Sequence, residues 1–381
     1  MTLSSILSRL AVVGLLVLGS AGATLAQVQE KVYPPAAPSP KDSVVGGFRL
    51  KDKQQFANPS VLGQGPSKGL IFRYERMPRF RVDARGQVQG VGDFQTEATK
   101  NARLSIKGYI PAWNHPHLKV ILGISYEREE FKFDPAISNY TLLDNVQNKG
   151  LRELAAQLAI IRPVDATHWY LARVKSSLSG DYDFDESGNS EYLRMSAEFV
   201  YGWKRTPNFS WGIGAQYGFT FGRASIYPAL LYNRTFNDHW GIEALFPARV
   251  TGRYNASPNS IFYGGYSVDG LNYIIRLRAG QELTRRNPDG TPLADKQTLT
   301  SLELREIEVK FRLRWEHEIF DFLWGAAEAG YRYNYAFDAF DRTNSDREKI
   351  ISTKLGGAPY ASLELFLTPP RKLLEKAGVK R

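Results

Sequence analysis

The amino-acid sequence predicts an all-β chain closed into an antiparallel transmembrane β-barrel of about 14 strands, with about 12 as the alternative count. Three observations lead there: long runs of alternating apolar and polar residues, connections that alternate short and long, and a composition rich in aromatics and glycine. The chain has 20 Tyr, 21 Phe, 7 Trp and 33 Gly but only 3 Met. That balance suits strands edged by aromatic belts.

The runs come first. Side chains on a strand point alternately to its two faces, so a period of two separates a greasy face from a polar one. Ala102, Leu104, Ile106, Gly108 and Ile110 face away from Arg103, Ser105 and Lys107. After a turn at Asn114-His115-Pro116, Leu118, Val120, Leu122, Ile124 and Tyr126 resume the pattern. Leu193, Met195, Ala197, Phe199, Tyr201 and Trp203 alternate with Arg194, Ser196, Glu198, Val200 and Gly202. Phe209, Trp211, Ile213, Ala215, Tyr217, Phe219 and Phe221 then alternate with Ser, Gly, Gln and Thr. Trp240, Ile242, Ala244, Phe246, Ala248 and Val250 oppose Glu243, Arg249, Thr251 and Arg253 as one strand. Ile307, Val309, Phe311, Leu313 and Trp315 oppose Glu306, Glu308, Lys310, Arg312, Arg314 and Glu316, with a bulge expected between Leu304 and Ile307. Leu323, Gly325, Ala327, Ala329, Tyr331, Tyr333, Tyr335 and Phe337 oppose Glu328, Arg332 and Asn334. Several runs exceed the roughly 9–11 residues that cross a bilayer at a tilt. Pro111, Pro228 and Pro247 fall inside these patterns, where proline removes a ladder donor and marks a bulge or strand end.

The connections are the second signal. Short turns are expected near 113–117, 163–167, 205–208, 236–239, 267–270 and 317–321. Longer ones are expected near 84–100, 135–149, 181–190, 223–225, 254–259, 279–299 and 338–353. Tight periplasmic turns and longer outer loops are the habit of outer-membrane barrels. Treating Ile261 to Ile275 as one bulged strand breaks the parity, which leaves the lower count open.

A large soluble β-sandwich would show similar alternation. Against it stand the aromatics at strand ends (Trp203, Phe209, Trp211, Trp240, Trp315, Tyr331) and the glycines and charges on the opposite faces. The mean hydropathy of −0.34 does not oppose a membrane, because only every second residue of a barrel strand meets lipid.

Outside the barrel, residues 1–26 have Arg9, an apolar stretch from Leu10 to Leu18 and small residues, and read as a signal peptide cut near Ala26. Residues 27–67, with Pro34, Pro35, Pro38, Pro40, Pro59 and Pro66, read as an extended periplasmic linker. The barrel is assigned to 68–367 and a basic periplasmic tail to 368–381. These features place the chain in the outer membrane, with membrane lipids and the barrel-insertion machinery as partners.

The formal charge is +10, from 49 Lys+Arg against 39 Asp+Glu. An exported chain rarely meets nucleic acid, so this excess is assigned to loops and lumen. The absence of cysteine excludes disulfides, thiolate catalysis and cysteine-based metal sites. No cofactor is expected. With lipid on the apolar face, the candidate lumen residues are Arg194, Glu198, Glu243, Arg249, Glu306, Glu308, Lys310, Arg312, Arg314, Glu316, Glu328 and Arg332. Such charges are tolerated only when hydrated or paired, so two readings stay open. One is a porin-like passive channel for small hydrophilic solutes; the other is a plugged structural or adhesive barrel with partner-binding outer loops.

Enzymatic readings are weak. The five histidines (His115, His117, His168, His239, His317) all fall at expected periplasmic turns, and Asp238-His239 is the only adjacent acid–base pair. His115-Pro116-His117 lacks further metal ligands. The acidic stretch Asp181 to Gly188 lacks the sixth-position Gly and twelfth-position Glu of a calcium loop.

The stretch from Trp240 to Tyr254, with Ser260 to Tyr266 and Asp269 to Tyr273, resembles an uncharacterised outer-membrane β-barrel family of Bacteroidetes, a domain of unknown function. The resemblance spans roughly residues 70–367 and implies location and fold, with no catalytic residues to carry over. One departure is that 14 residues follow Leu367, where many barrels end on a strand aromatic.

Overall fold

The protein is described by a computed structural model over residues 57–88, 90–134, 140–183, 190–278, 282–284, 291, 298–342 and 347–370. The expected signal peptide, linker residues 27–56, tail residues 371–381 and residues 184–189 of the acidic stretch lie outside the described residues.

The chain is a closed antiparallel transmembrane β-barrel of 14 strands. Strand β1 runs through Leu70–Met77 and, after a break at Pro78-Arg79, Phe80–Gly86. It is followed by β2 (Phe94–His115), β3 (Leu118–Phe133), helix α1 (Thr141–Lys149), β4 (Leu151–Pro163) and β5 (His168–Gly180). Next come β6 (Leu193–Thr206), β7 (Phe209–Gly218), β8 (Ser225–Thr235), β9 (Trp240–Phe246), β10 (Arg249–Ser257) and β11 (Ser260–Arg276). The last strands are β12 (Ser301–Phe320), β13 (Leu323–Asp341) and β14, which joins Lys349–Leu355 to Ala358–Leu367. Each strand pairs with its sequence neighbour. Closure comes from β1 against β14, with Ile71 opposite Phe366 and Val82 opposite Leu355. Closure removes the sheet edge, so the ladder satisfies the backbone without water.

The outer wall is apolar. Ile110, Ile124, Ile226, Leu313 and Leu363 are each about 70% exposed. Their strand neighbours in sequence turn inward. At the ends bearing the tight turns, Trp113, Trp203, Trp211, Trp240, Tyr254 and Trp315 form an aromatic girdle. Phe311 is 56% exposed, and Trp211 stacks on Trp203 at 4.5 Å. Neither sits in a dry centre.

The strand count agrees with expectation, but two turns lie elsewhere, and the longer connection expected near 254–259 is a two-residue turn at 258–259. The run from Trp240 to Arg253 is a hairpin, with Ala244 opposite Val250 and a turn at Pro247-Ala248. Proline cannot donate to a ladder, and here it ends the strand. Conversely, 267–270 is no turn. Strand β11 passes straight through it, paired with β12 from Ser260 to Arg276. The two differences cancel in the total. The bulge expected on β12 lies instead on β13, where Ile307 opposes Ala336 and Glu308 opposes Asn334, leaving Tyr335 over. That extra residue turns Phe337 and Ala339 inward, whereas unbroken alternation would send Phe337 to lipid. Leu302 and Leu304 share the inner face of β12 with Glu306, because the upper interior is apolar.

The wall is uneven in height. Strands β2, β12 and β13 have 22, 20 and 19 residues, while β9 has 7 and β10 has 9. The β9–β10 pairing stops at Arg249 opposite Ser267 on one side and Phe246 opposite Leu230 on the other. Among the described residues, Ser225–Ala229 of β8 and Val268–Asn272 of β11 therefore face a notch. Above it, β5 meets β11 directly, Gly180 opposite Ile274.

Candidate functional site

The middle of the lumen is a layer of ion pairs. Glu308 receives Arg103 at 2.6 Å, Lys310 at 3.2 Å and Arg332 at 3.2 Å. Lys310 also reaches Glu75 at 2.7 Å, and Arg332 and Arg103 share Glu129. One step lower, Glu328 holds Arg73 at 2.7 Å with Arg312 and Arg314 at 3.4 Å. Arg314 bridges Glu316 and Glu364. Inward alternation on six neighbouring strands (β12, β13, β14, β1, β2, β3) builds this layer. Charges of both signs then satisfy one another where lone ions would be prohibitively costly.

Both ends of the lumen are sealed by apolar groups. At the end of the tight turns, residues 57–69 cross the barrel as a strap. Its backbone is held by Asn233 on Pro59 O (2.9 Å), Thr235 on Leu62 O (2.5 Å), Asn255 on Gly63 O (2.9 Å) and Lys204 on Ser60 O. Lys68 ends the strap on Glu316 (2.6 Å) and Glu364 (3.0 Å). Its Ala57 packs with Ile71, Trp169, Leu231, Trp324 and Phe366 in one apolar cluster. Trp169 fits because Gly202 faces it: a Cβ there would lie 2.1 Å from the indole. At the opposite end α1 drops Leu142, Leu143 and Val146 onto Phe131, Phe133, Leu302, Leu304 and Phe337. The linker assigned to 27–67 thus contributes its last residues to the barrel interior.

Beside the ionic layer lies a polar cavity of about 250 Å³ between β4–β7 and the upper half of β11. Its lining includes Glu153, Arg173, Lys175, Ser177, Arg194 and Asp269. Arg173 is paired with Glu198 and Lys175 with Glu153. Arg194 bonds Asn272 Oδ1 at 2.7 Å. The β7–β8 connection roofs the cavity where it meets the notch. Asn272 donates to Gly222 O at 2.9 Å, and Gly270 lies so close that a Cβ would come 2.0 Å from Phe219 O.

The twelve residues expected to line the lumen fall in several settings. Glu308, Lys310, Arg312, Arg314, Glu316, Glu328 and Arg332 make up the ionic layer, and Glu306 bonds Asn334 at 2.9 Å above it. Arg194 lines the cavity, Glu198 pairs with its Arg173, and Glu243 stands against Arg253 at 3.4 Å lower down. Arg249 is half-buried and makes no hydrogen bond or ion pair among the described residues. Sequence reasoning missed Arg73, Glu75, Glu129, Glu364 and Lys68, and set Arg103 on a polar face without counting it in the lumen. Arg73-Tyr74-Glu75 and Leu363-Glu364-Leu365 carried the alternation that would have found them; Lys68 carried no such signal.

The histidines sit at the tight turns. His239 Nδ1 lies 2.7 Å from Asn255 O, and Asp238 is not its partner. His168 Nδ1 lies 2.7 Å from Asp165, whose other oxygen accepts the Thr167 and His168 amides. Those donors hold the exposed Asp165 carboxyl well below the usual carboxylate range. Such bonds cap a turn. Among the described residues no three His, Asp or Glu side chains group as metal ligands.

These features define a closed transmembrane barrel with an occluded, charged lumen. The chain belongs to a family described as a domain of unknown function, DUF6268, whose profile matches residues 136–326. No curated protein matches it. Solved structures share the barrel at low identity. A FadL homologue from Pseudomonas aeruginosa is 9% identical over 79% of this chain and 90% of that one, with a TM-score of 0.36. An outer membrane channel from Pseudomonas putida F1 is 11% identical over 84% and 100%, at 0.33. The Escherichia coli outer membrane protease OmpT is 10% identical over 78% and 96%, at 0.28. The likeness is one of β-barrel architecture alone.

Proposed function

We propose that the chain is an outer-membrane barrel that passes small hydrophilic solutes through a gated lumen, shut in this structure, rather than through a standing-open pore. On this reading it is exported behind its signal peptide, inserted by the barrel machinery and solvated by outer-membrane lipid. The twelve lumen residues form the polar part of the path. The observation that carries the reading is the ionic layer lying between two apolar seals, one of which is a strap held largely by hydrogen bonds to its backbone. A barrel with no path to offer would have little use for charge at its centre, since packed apolar residues fill such space at least as stably.

Planar-bilayer recording tests it. The intact barrel is expected to conduct rarely, and deletion of residues 57–67 to give frequent channel events. A folded deletion variant that is silent at every voltage would end the proposal. It would leave the structural or adhesive reading, which the mutual pairing of the lumen charges favours, with partner contacts at the connections near 279–299 and 338–353.

A further inference from the structure

We infer that the polar cavity beside the ionic layer is a binding site for a small anionic solute bearing a carboxylate or phosphate, received by Arg249 and Arg194. The inference names the solute class for the proposed passage and rests on that reading only to that extent.

The charges make the case. Of the cations in and beside the cavity, Arg173 and Lys175 are each neutralised by a glutamate, Glu198 and Glu153. Two arginines are not. Arg194 spends its hydrogen bonds on neutral oxygens: Asn272 Oδ1 at 2.7 Å, Glu191 O at 3.1 Å and Leu193 O at 2.8 Å. Arg249 bonds nothing among the described residues. The charged groups that act on it through space are Arg312, Glu243, Arg173 and Asp269. Three of these are already engaged, Arg312 by Glu328, Glu243 by Arg253 and Arg173 by Glu198. Asp269 remains, exposed and beyond ion-pair distance. Glu303, which acts on Arg194, is held by Arg305 and Arg347. Two guanidiniums without an ion-pair partner against the one carboxylate of Asp269 leave the cavity net positive.

The cavity is built to use them. Arg249 directly follows Ala248, one of the lining residues, and shares Arg173 and Asp269 with the lining. Arg194 stands opposite Ser177, which also lines the cavity. Arg173 and Ser177 are four residues apart on β5, about 13 Å along the strand, so Arg194, opposite Ser177, stands well along the cavity from Arg173. Ser177, Ser179, Ser196 and Gln216 offer neutral donors. A planar guanidinium with free donors suits carboxylate and phosphate, and such charge-assisted bonds strengthen in a site shielded from bulk water. A volume of about 250 Å³ fits a small solute and not a polymer.

Titration calorimetry on the full barrel folded in detergent micelles tests this, with inorganic phosphate and succinate as probes. Putrescine and glucose serve as the cationic and neutral comparisons. At least one anion is expected to bind and the comparisons not to. Whichever anion binds separates the phosphate from the carboxylate source. Arg249→Gln is expected to weaken binding at least tenfold, and Arg249→Lys less than Arg249→Gln. Arg194→Gln provides an independent variant if Arg249→Gln fails to fold, judged by heat-dependent gel mobility. Anion affinity unchanged in the folded variants, no anion binding at all, or preference for putrescine would each overturn the inference. A barrel that binds anions but never conducts would overturn the passage reading alone, and one that conducts without binding anions would overturn this inference alone.

Discussion

At the scale of single residues, burial decides which charges matter. Glu308 is fully buried among Arg103, Lys310 and Arg332, and Glu308→Ala would leave three cations facing one another without it. Removing one partner of such a set costs about 3–5 kcal/mol. Urea unfolding from lipid vesicles should show that loss. Lys100→Ala breaks a half-exposed pair with Glu130, and about 1 kcal/mol or less is expected. Equal effects from the two substitutions would mean that the ionic layer is as hydrated as the rim. The alternation of Glu306 to Glu316 made the β12 charges legible in the sequence, since strand period alone assigns their face. Their partners were not, because Arg103 and Glu308 are 205 positions apart and pairing across a lumen leaves no local pattern. Lys68 was illegible for another reason: a proline-rich stretch with no period carries nothing to say that it lies inside a barrel.

Among the elements, the short β9–β10 hairpin and the β7–β8 connection that fills its notch set the shape of the cavity. Gly270 permits their close approach, so Gly270→Val should push the backbone at Phe219 and Thr220 outward. Amide exchange at Thr220–Gly222 is expected to rise while the β12–β13 ladder stays protected; unchanged exchange would contradict the packing. The turn at 164–167 is a second device. Asp165 has its carboxyl held below the ordinary range by the amides of Thr167 and His168. A depressed folded pKa contributes stability above the unfolded value, about 3.9 for Asp, and loses it as pH falls through the folded one. Amide protection at Thr167 and His168 should therefore persist below about pH 4 and fail only in stronger acid, whereas Asp165→Ala should remove it at neutral pH. The strands themselves were readable because alternation is local. The hairpin was not, because Phe246-Pro247-Ala248 keeps the apolar period running through a turn. The bulge at Tyr335 escaped for the converse reason: Phe337 continues the period in sequence while the backbone reverses its face.

For the whole molecule, lipid on the outside and paired charge on the inside are one arrangement seen from two faces. The closed ladder, aromatic girdle and exposed aliphatic band all follow from it, and so does the strand count, which two misplaced turns left intact. What the sequence could not show is occlusion. The seals come from residues 57–69 and from α1, whose inward docking depends on the shape of a finished barrel. Because the chain has no cysteine, a single introduced thiol reports one site cleanly. The measurement that bears most directly on this arrangement is the emission of an environment-sensitive nitrobenzoxadiazole label on Leu313→Cys and Ile226→Cys in vesicles, with brominated phospholipids as quenchers. Blue-shifted emission quenched by the bromolipids at both positions is the expected result; water-like emission that bromolipids leave untouched would contradict it.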